Sequence, residues 1–134
     1  MAIDEGWRSY SAAPPRGTRI CASQDVIEGD VLSMVLESEN GMLPLLVTRR
    51  HDKLRVFVNA CPHQYLPLDY QGSNLLSADG SMLMCNSHGA RFLIEDGECV
   101  DGPAMGCALD LVPVEYRAVE IWIGGQRFEQ IERE

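Results

Sequence analysis

Apolar and polar positions alternate with a period of two along most of the chain from Thr18 onward, which is the spacing of β-strands. Leu32, Met34 and Leu36 alternate with Ser33 and Glu37. Leu54, Val56 and Val58 alternate with Lys53, Arg55 and Asn59, and Val119, Ile121 and Ile123 alternate with Glu120 and Trp122. Residues 43–48 form a short apolar run, which predicts a strand buried on both faces. Between these runs lie the turn signals Arg50-His51-Asp52, Asp79-Gly80, Asp96-Gly97 and Gly124-Gly125. Short strands with frequent turns predict an all-β fold, an antiparallel β-sandwich or small barrel. No segment carries helical periodicity over three turns; a short helical turn within residues 66–76 is the most the pattern allows.

The first 17 residues are polar and end in Pro14, Pro15 and Gly17. They read as an arm before a single domain over residues 18–134, with Trp7 and Tyr10 available to pack the arm onto the body or onto a neighbouring subunit. One stretch breaks the strand rhythm. Residues 60–106 are rich in Gly, Pro, Cys and His and read as a subdomain inserted between strands, where loops on a rigid scaffold carry chemistry.

Composition narrows the function classes. The chain has 134 residues, enough to bury a core, and a formal net charge of −9. Such a surface repels phosphate backbones and disfavours nucleic-acid binding. It suits a partner with a basic docking surface, and it equally serves solubility. No apolar run is long enough to span a membrane, and the first residues lack the pattern of a secretory signal, so a cytoplasmic location is expected.

Five cysteines, an odd number, argue against a disulfide framework. Two of them pair with histidines at short spacing: Cys61-Pro62-His63, then 21 residues, then Cys85-Asn86-Ser87-His88. Each half supplies one thiolate and one imidazole, and four ligands of mixed softness suit zinc or an iron–sulfur centre. A zinc finger pairs like ligands within each half, whereas each loop here mixes them. That division fits a two-iron body with Cys61 and Cys85 on one iron and His63 and His88 on the other. His51 sits in a predicted hairpin turn beside Asp52 and reads as an exposed turn residue. Cys21, Cys99 and Cys107 read as buried or half-buried strand residues, and Trp122 and Phe57 as packing residues.

With these motifs the chain resembles Rieske-type [2Fe–2S] proteins of the small, soluble ferredoxin kind. Residues 85–92, Cys-Asn-Ser-His-Gly-Ala-Arg-Phe, resemble the family's second cluster loop, C-x-x-H-G-x-x-F. Asp96-Gly97 resembles the turn that follows, and Gly102-Pro103-Ala104 resembles the proline-containing loop that covers the cluster. The resemblance implies one [2Fe–2S] cluster per chain, with Cys61 and Cys85 on the buried iron and His63 and His88 on the outer one. It implies a one-electron carrier that takes electrons from a reductase and passes them to an oxygenase or another redox protein. The small subunit of a nitrite reductase and a cluster-based redox sensor are the alternatives it leaves.

Departures from the pattern sharpen the expectation. Leu66 and Ser87 stand where the high-potential branch has a disulfide, and Ala90 and Phe92 stand where it has hydroxyl donors, so the resemblance implies a low potential. The long spacing between His63 and Cys85 is expected to enlarge a loop over residues 69–80, a candidate for partner discrimination. After His63 and His88 are assigned, His51 is the third and last histidine of this chain. A further 2-His-1-carboxylate iron site therefore cannot be built from it. Oligomeric state stays open.

Overall fold

The computed structural model describes residues 10, 13–14, 17–60, 68, 75–85, 89–102, 106–117 and 119–124. Among these, ten strands form three antiparallel sheets, and the chain divides into two compact units. The first unit comprises residues 1–58 and 110–134, the second residues 59–109. None of the described helices is long and apolar enough to cross a membrane.

In the first unit, β2 (Val31–Ser38), β3 (Gly41–Arg50), β4 (Lys53–Val58) and β8 (Leu111–Val112) form one sheet in the order β2-β3-β4-β8. The second sheet has the order β1-β10-β9, from Arg19–Ala22, Glu120–Ile123 and Val114–Arg117. Pro113 alone separates β8 from β9, so the chain changes sheets within one residue. Proline cannot continue a ladder and suits such a corner.

The apolar run at residues 43–48 lies in β3, where Leu43, Leu45, Leu46, Val47 and Thr48 are all buried. β3 extends further than the run, to ten residues, because hydrogen bonds to β2 and β4 on either side hold its polar ends too. β4 was expected to alternate in burial. It does not: Arg55, Phe57 and Asn59 are buried along with Leu54, Val56 and Val58. Both faces of β4 are therefore covered, and such a strand keeps no solvent side. Val119, expected to point inward with Ile121 and Ile123, is 58% exposed because it lies in the turn before β10.

The β3–β4 turn has two residues, His51 and Asp52, both at positive φ (55° and 64°), as a type I′ hairpin requires. His51 is exposed, as its place in the turn predicts. The Glu28 carboxylate accepts the His51 N–H (2.7 Å) and the Asp52 N–H (3.0 Å), satisfying the donors at the tip. Arg49 donates to the Val26 and Ser23 carbonyls and to the Ser23 hydroxyl, and pairs with Asp52 at 3.0 Å. This fixes a 3-10 turn over Ser23–Asp25 that periodicity does not reveal.

The arm also contacts the first unit. The Tyr10 hydroxyl donates to the Asp110 carboxylate at 2.9 Å, and Asn40 Nδ2 donates to the Ala13 carbonyl at 2.8 Å. Trp7 lies outside the described residues. Cys21 is buried in β1, and burial pushes its thiol pKa up to about 11. It behaves as a small apolar side chain at neutral pH.

Candidate metal centre

The second unit is a three-stranded antiparallel sheet of β5 (Met82–Met84), β6 (Arg91–Leu93) and β7 (Cys99–Asp101), with three loops whose bases are each closed by hydrogen bonds. The first loop begins at Asn59. Asn59 is buried, and its Oδ1 accepts the N–H of the fully buried Leu68 at 2.7 Å. An asparagine side chain here substitutes for a backbone partner and brings both ends of residues 60–67 together.

The second loop joins β5 to β6. Met84 pairs with Arg91, and the Cys85 N–H donates to the Ala90 carbonyl at 2.9 Å. The Gly89 N–H then donates to the Cys85 carbonyl, also at 2.9 Å. Gly89 has φ +79°, the left-handed conformation that closes such a loop without strain only when no Cβ is present. Cys85 is 2% exposed, and Ala90 and Phe92 behind it are fully buried.

The third loop follows β7. Cys99 N–H donates to the Cys107 carbonyl (3.0 Å), Glu98 and Ala108 form a bridge, and Leu109 N–H donates to the Gly97 carbonyl (2.8 Å). Gly102, at φ +94°, runs against the second loop. A Cβ there would stand 2.7 Å from Ala90 Cα and 3.1 Å from the Gly89 carbonyl oxygen. The second and third loops thus touch backbone to backbone at Gly102.

The spacing between His63 and Cys85 is not all loop. Residues 75–77 run beside β5, with Leu76 bridged to Leu83 and Met84 N–H donating to the Leu75 carbonyl at 2.7 Å. The Asp79 carboxylate caps the intervening turn by accepting the Ser77 hydroxyl, the Ser81 hydroxyl and the Ser81 N–H. The expected loop over residues 69–80 is therefore strand-like at 75–77 and turns at 78–80; residues 69–74 lie outside the described ones.

Of the four predicted ligands, Cys85 is described, and the structure places it buried at the base of a tight hairpin. Cys61, His63 and His88, with Pro103 and the expected disulfide-free pair Leu66 and Ser87, lie outside the described residues. Cys99 is buried, but Cys107, expected to be buried or half-buried, is exposed. Gly106, at φ +93°, turns the chain just before it, and only the Cys107 backbone joins the ladder. Sequence reasoning missed Asn59 and Leu68. The one available signal was an Asn directly preceding the Cys-Pro-His loop.

The family model described as the Rieske [2Fe–2S] domain matches residues 17–120. The chain belongs to the Rieske family. Solved structures share its fold. The ferredoxin of carbazole 1,9a-dioxygenase from Nocardioides aromaticivorans IC177 is 18% identical, with a TM-score of 0.63 over 84% of this chain and 100% of that one. The Sphingomonas yanoikuyae B1 ferredoxin is 22% identical, with a TM-score of 0.64 over 82% of this chain and 99% of that one. The terminal oxygenase of carbazole 1,9a-dioxygenase from the same Nocardioides strain is 18% identical, with a TM-score of 0.68 over 87% of this chain. This chain spans 32% of that oxygenase's length. No curated protein matches this chain significantly in sequence.

A Rieske domain holds a [2Fe–2S] cluster. The described part of the site fits that group. Cys85 offers a thiol screened from water, as the inner iron's ligand needs. Beside it, a Cβ built on Gly89 would meet nothing within 4 Å among the described residues. Ala90 and Phe92, both buried, bring no side-chain hydroxyl to the neighbourhood.

Proposed function

We propose that the chain is a one-electron carrier whose cluster is held by Cys61 and Cys85 on the inner iron and by His63 and His88 on the outer one. The observation that carries this reading is the family match together with Cys85, buried at the base of the C-x-x-H-G hairpin. When bound, the cluster accepts and returns one electron.

The chain's own residues then do three things. Cys61 and Cys85 neutralise iron charge with thiolates, and the burial of Cys85 keeps water from that sulfur. His63 and His88 would supply imidazoles to the outer iron. The loops that carry these residues are closed at their bases: the Asn59 side chain fixes the first, and the third loop's Gly102 braces the second. Without side-chain donors at Ala90 and Phe92, less added negative charge is stabilised, which favours a potential near the low end of the Rieske range.

A ferredoxin and a terminal oxygenase of one dioxygenase system both share this fold. The acceptor proposed for this chain is accordingly an oxygenase, and the donor a reductase, in the cytoplasm. A surface of net charge −9 favours basic docking faces on both. The rate of electron delivery to such a partner should then fall as ionic strength rises, measured by stopped-flow reduction at increasing salt.

The direct test is an EPR spectrum before and after dithionite, with iron and sulfide assayed on the same sample. A silent oxidised protein should gain a rhombic signal of low average g, with two irons and two sulfides per chain. Cys61→Ser, Cys85→Ser, His63→Ala and His88→Ala should each lose it, while Cys99→Ser retains it. A zinc-bearing or metal-free wild type with no signal would overturn the reading.

A further inference from the structure

The ladder at the base of the third loop places two cysteines opposite each other. Glu98 bridges Ala108 in antiparallel fashion, so the next pair outward is Cys99 and Cys107, joined by the bond from the Cys99 N–H to the Cys107 carbonyl at 3.0 Å. Residues directly opposite in an antiparallel pair send their side chains to the same face. Hydrogen-bonded partners in an antiparallel ladder have Cα atoms about 5.5 Å apart. A disulfide spans about 4.4–6.8 Å between Cα atoms. The two thiols differ in access: Cys99 is 4% exposed and its Sγ donates to the Asp101 carbonyl at 3.2 Å, whereas Cys107 is exposed. Both are free thiols in this structure, and neither belongs to the ligand set.

We propose that Cys99 and Cys107 are a thiol–disulfide pair, oxidised by a low-molecular-weight disulfide of the glutathione type and restored by thiols. Cys107 is the attacking sulfur because it is the one solvent reaches. Its thiolate bonds to one sulfur of the co-reactant, the co-reactant's S–S bond breaks, and the released thiolate takes up the proton Cys107 gave. Cys99 then leaves the Asp101 carbonyl, loses its proton and attacks the Cys107 sulfur. The mixed disulfide breaks, and the second small thiol departs with that proton. Two protein thiols are oxidised, and one small disulfide is reduced to two thiols. The bond formed fastens both ends of residues 100–106, the segment that contains Gly102.

The test uses the holoprotein with oxidised glutathione, followed by alkylation with iodoacetamide and tryptic mass spectrometry. One tryptic peptide, residues 92–117, carries both cysteines. The expected result is that this peptide loses two hydrogens, carries no alkyl group at either cysteine, and regains both alkylation sites after dithiothreitol. Cys99→Ala should stop at a glutathione adduct on Cys107, and Cys107→Ser should leave Cys99 unmodified. A lasting adduct on Cys107 in the wild type would overturn the proposal. So would a disulfide-linked dimer through Cys107, modification of Cys99 in Cys107→Ser, or no reaction at either thiol. None of these readouts depends on the cluster's ligands or on electron transfer.

Discussion

Gly102 and Gly89 share a positive φ but not their surroundings, and the difference predicts different costs. Among the described residues a Cβ at Gly89 meets nothing, so Gly89→Ala carries backbone strain of about 1–2 kcal/mol. Gly102→Ala adds a contact of 2.7 Å with backbone, which no side-chain rotation can relieve, so it should cost more than Gly89→Ala. Thermal unfolding followed by visible absorbance should place Gly102→Ala below Gly89→Ala, and Gly89→Ala below wild type. Asn59 is the other decisive residue. Asn59→Ala leaves the buried Leu68 N–H without the 2.7 Å acceptor, a loss of about 1–3 kcal/mol. The variant should fold with unchanged first-unit spectra and release iron to a chelator faster than wild type. In the sequence Asn59 read as one more polar position in a strand, because its role lies in a bond to Leu68, which no local pattern announces.

At the level of elements, the β3–β4 hairpin depends on a carboxylate from outside it. Glu28 accepts both N–H groups of the turn, and these bonds hold its pKa below the ordinary carboxylate value. A depressed folded pKa means stability present at neutral pH and lost as pH falls through the ordinary value toward the lowered one. Urea unfolding of wild type and Glu28→Gln should therefore differ near neutrality and converge in acid. A gap that widens in acid would contradict the assignment. The strands themselves were legible where alternation or an unbroken apolar run is long, as in β2 and β3. Burial on both faces of β4 was not, because cover over a second face is a tertiary effect that local alternation does not record. The pairing of residues 75–77 with β5 and the exposure of Cys107 went unread as well. At the site, by contrast, the two Cys/His spacings, with residues 85–92, Asp96-Gly97 and Gly102-Pro103-Ala104, carried the family, since these are local demands of one inorganic group.

Across the whole molecule, the buried residues of β2, β3, β4 and β8 belong to a unit that contains none of the proposed ligands. Among the described residues, the bonds that close the second unit's loops lie at their bases. Hydrogen exchange after cluster removal should therefore leave the amides of Leu45–Val47 and Val56–Val58 protected, while those of Leu68 and Gly89 exchange faster. Equal loss of protection in both sets would show one cooperative structure instead. Between the units the chain crosses twice, after Val58 and before Asp110, and the Val58 N–H donates to the Asp110 carbonyl at 2.9 Å. Both ends of the 59–109 segment are thus anchored side by side, at the gap a reverse turn spans between neighbouring strands. A descent that exchanged this segment for another of different redox character would leave the β4–β8 ladder intact. The scaffold and the segment proposed to hold the redox centre can then be inherited separately, through one pair of adjacent splice points.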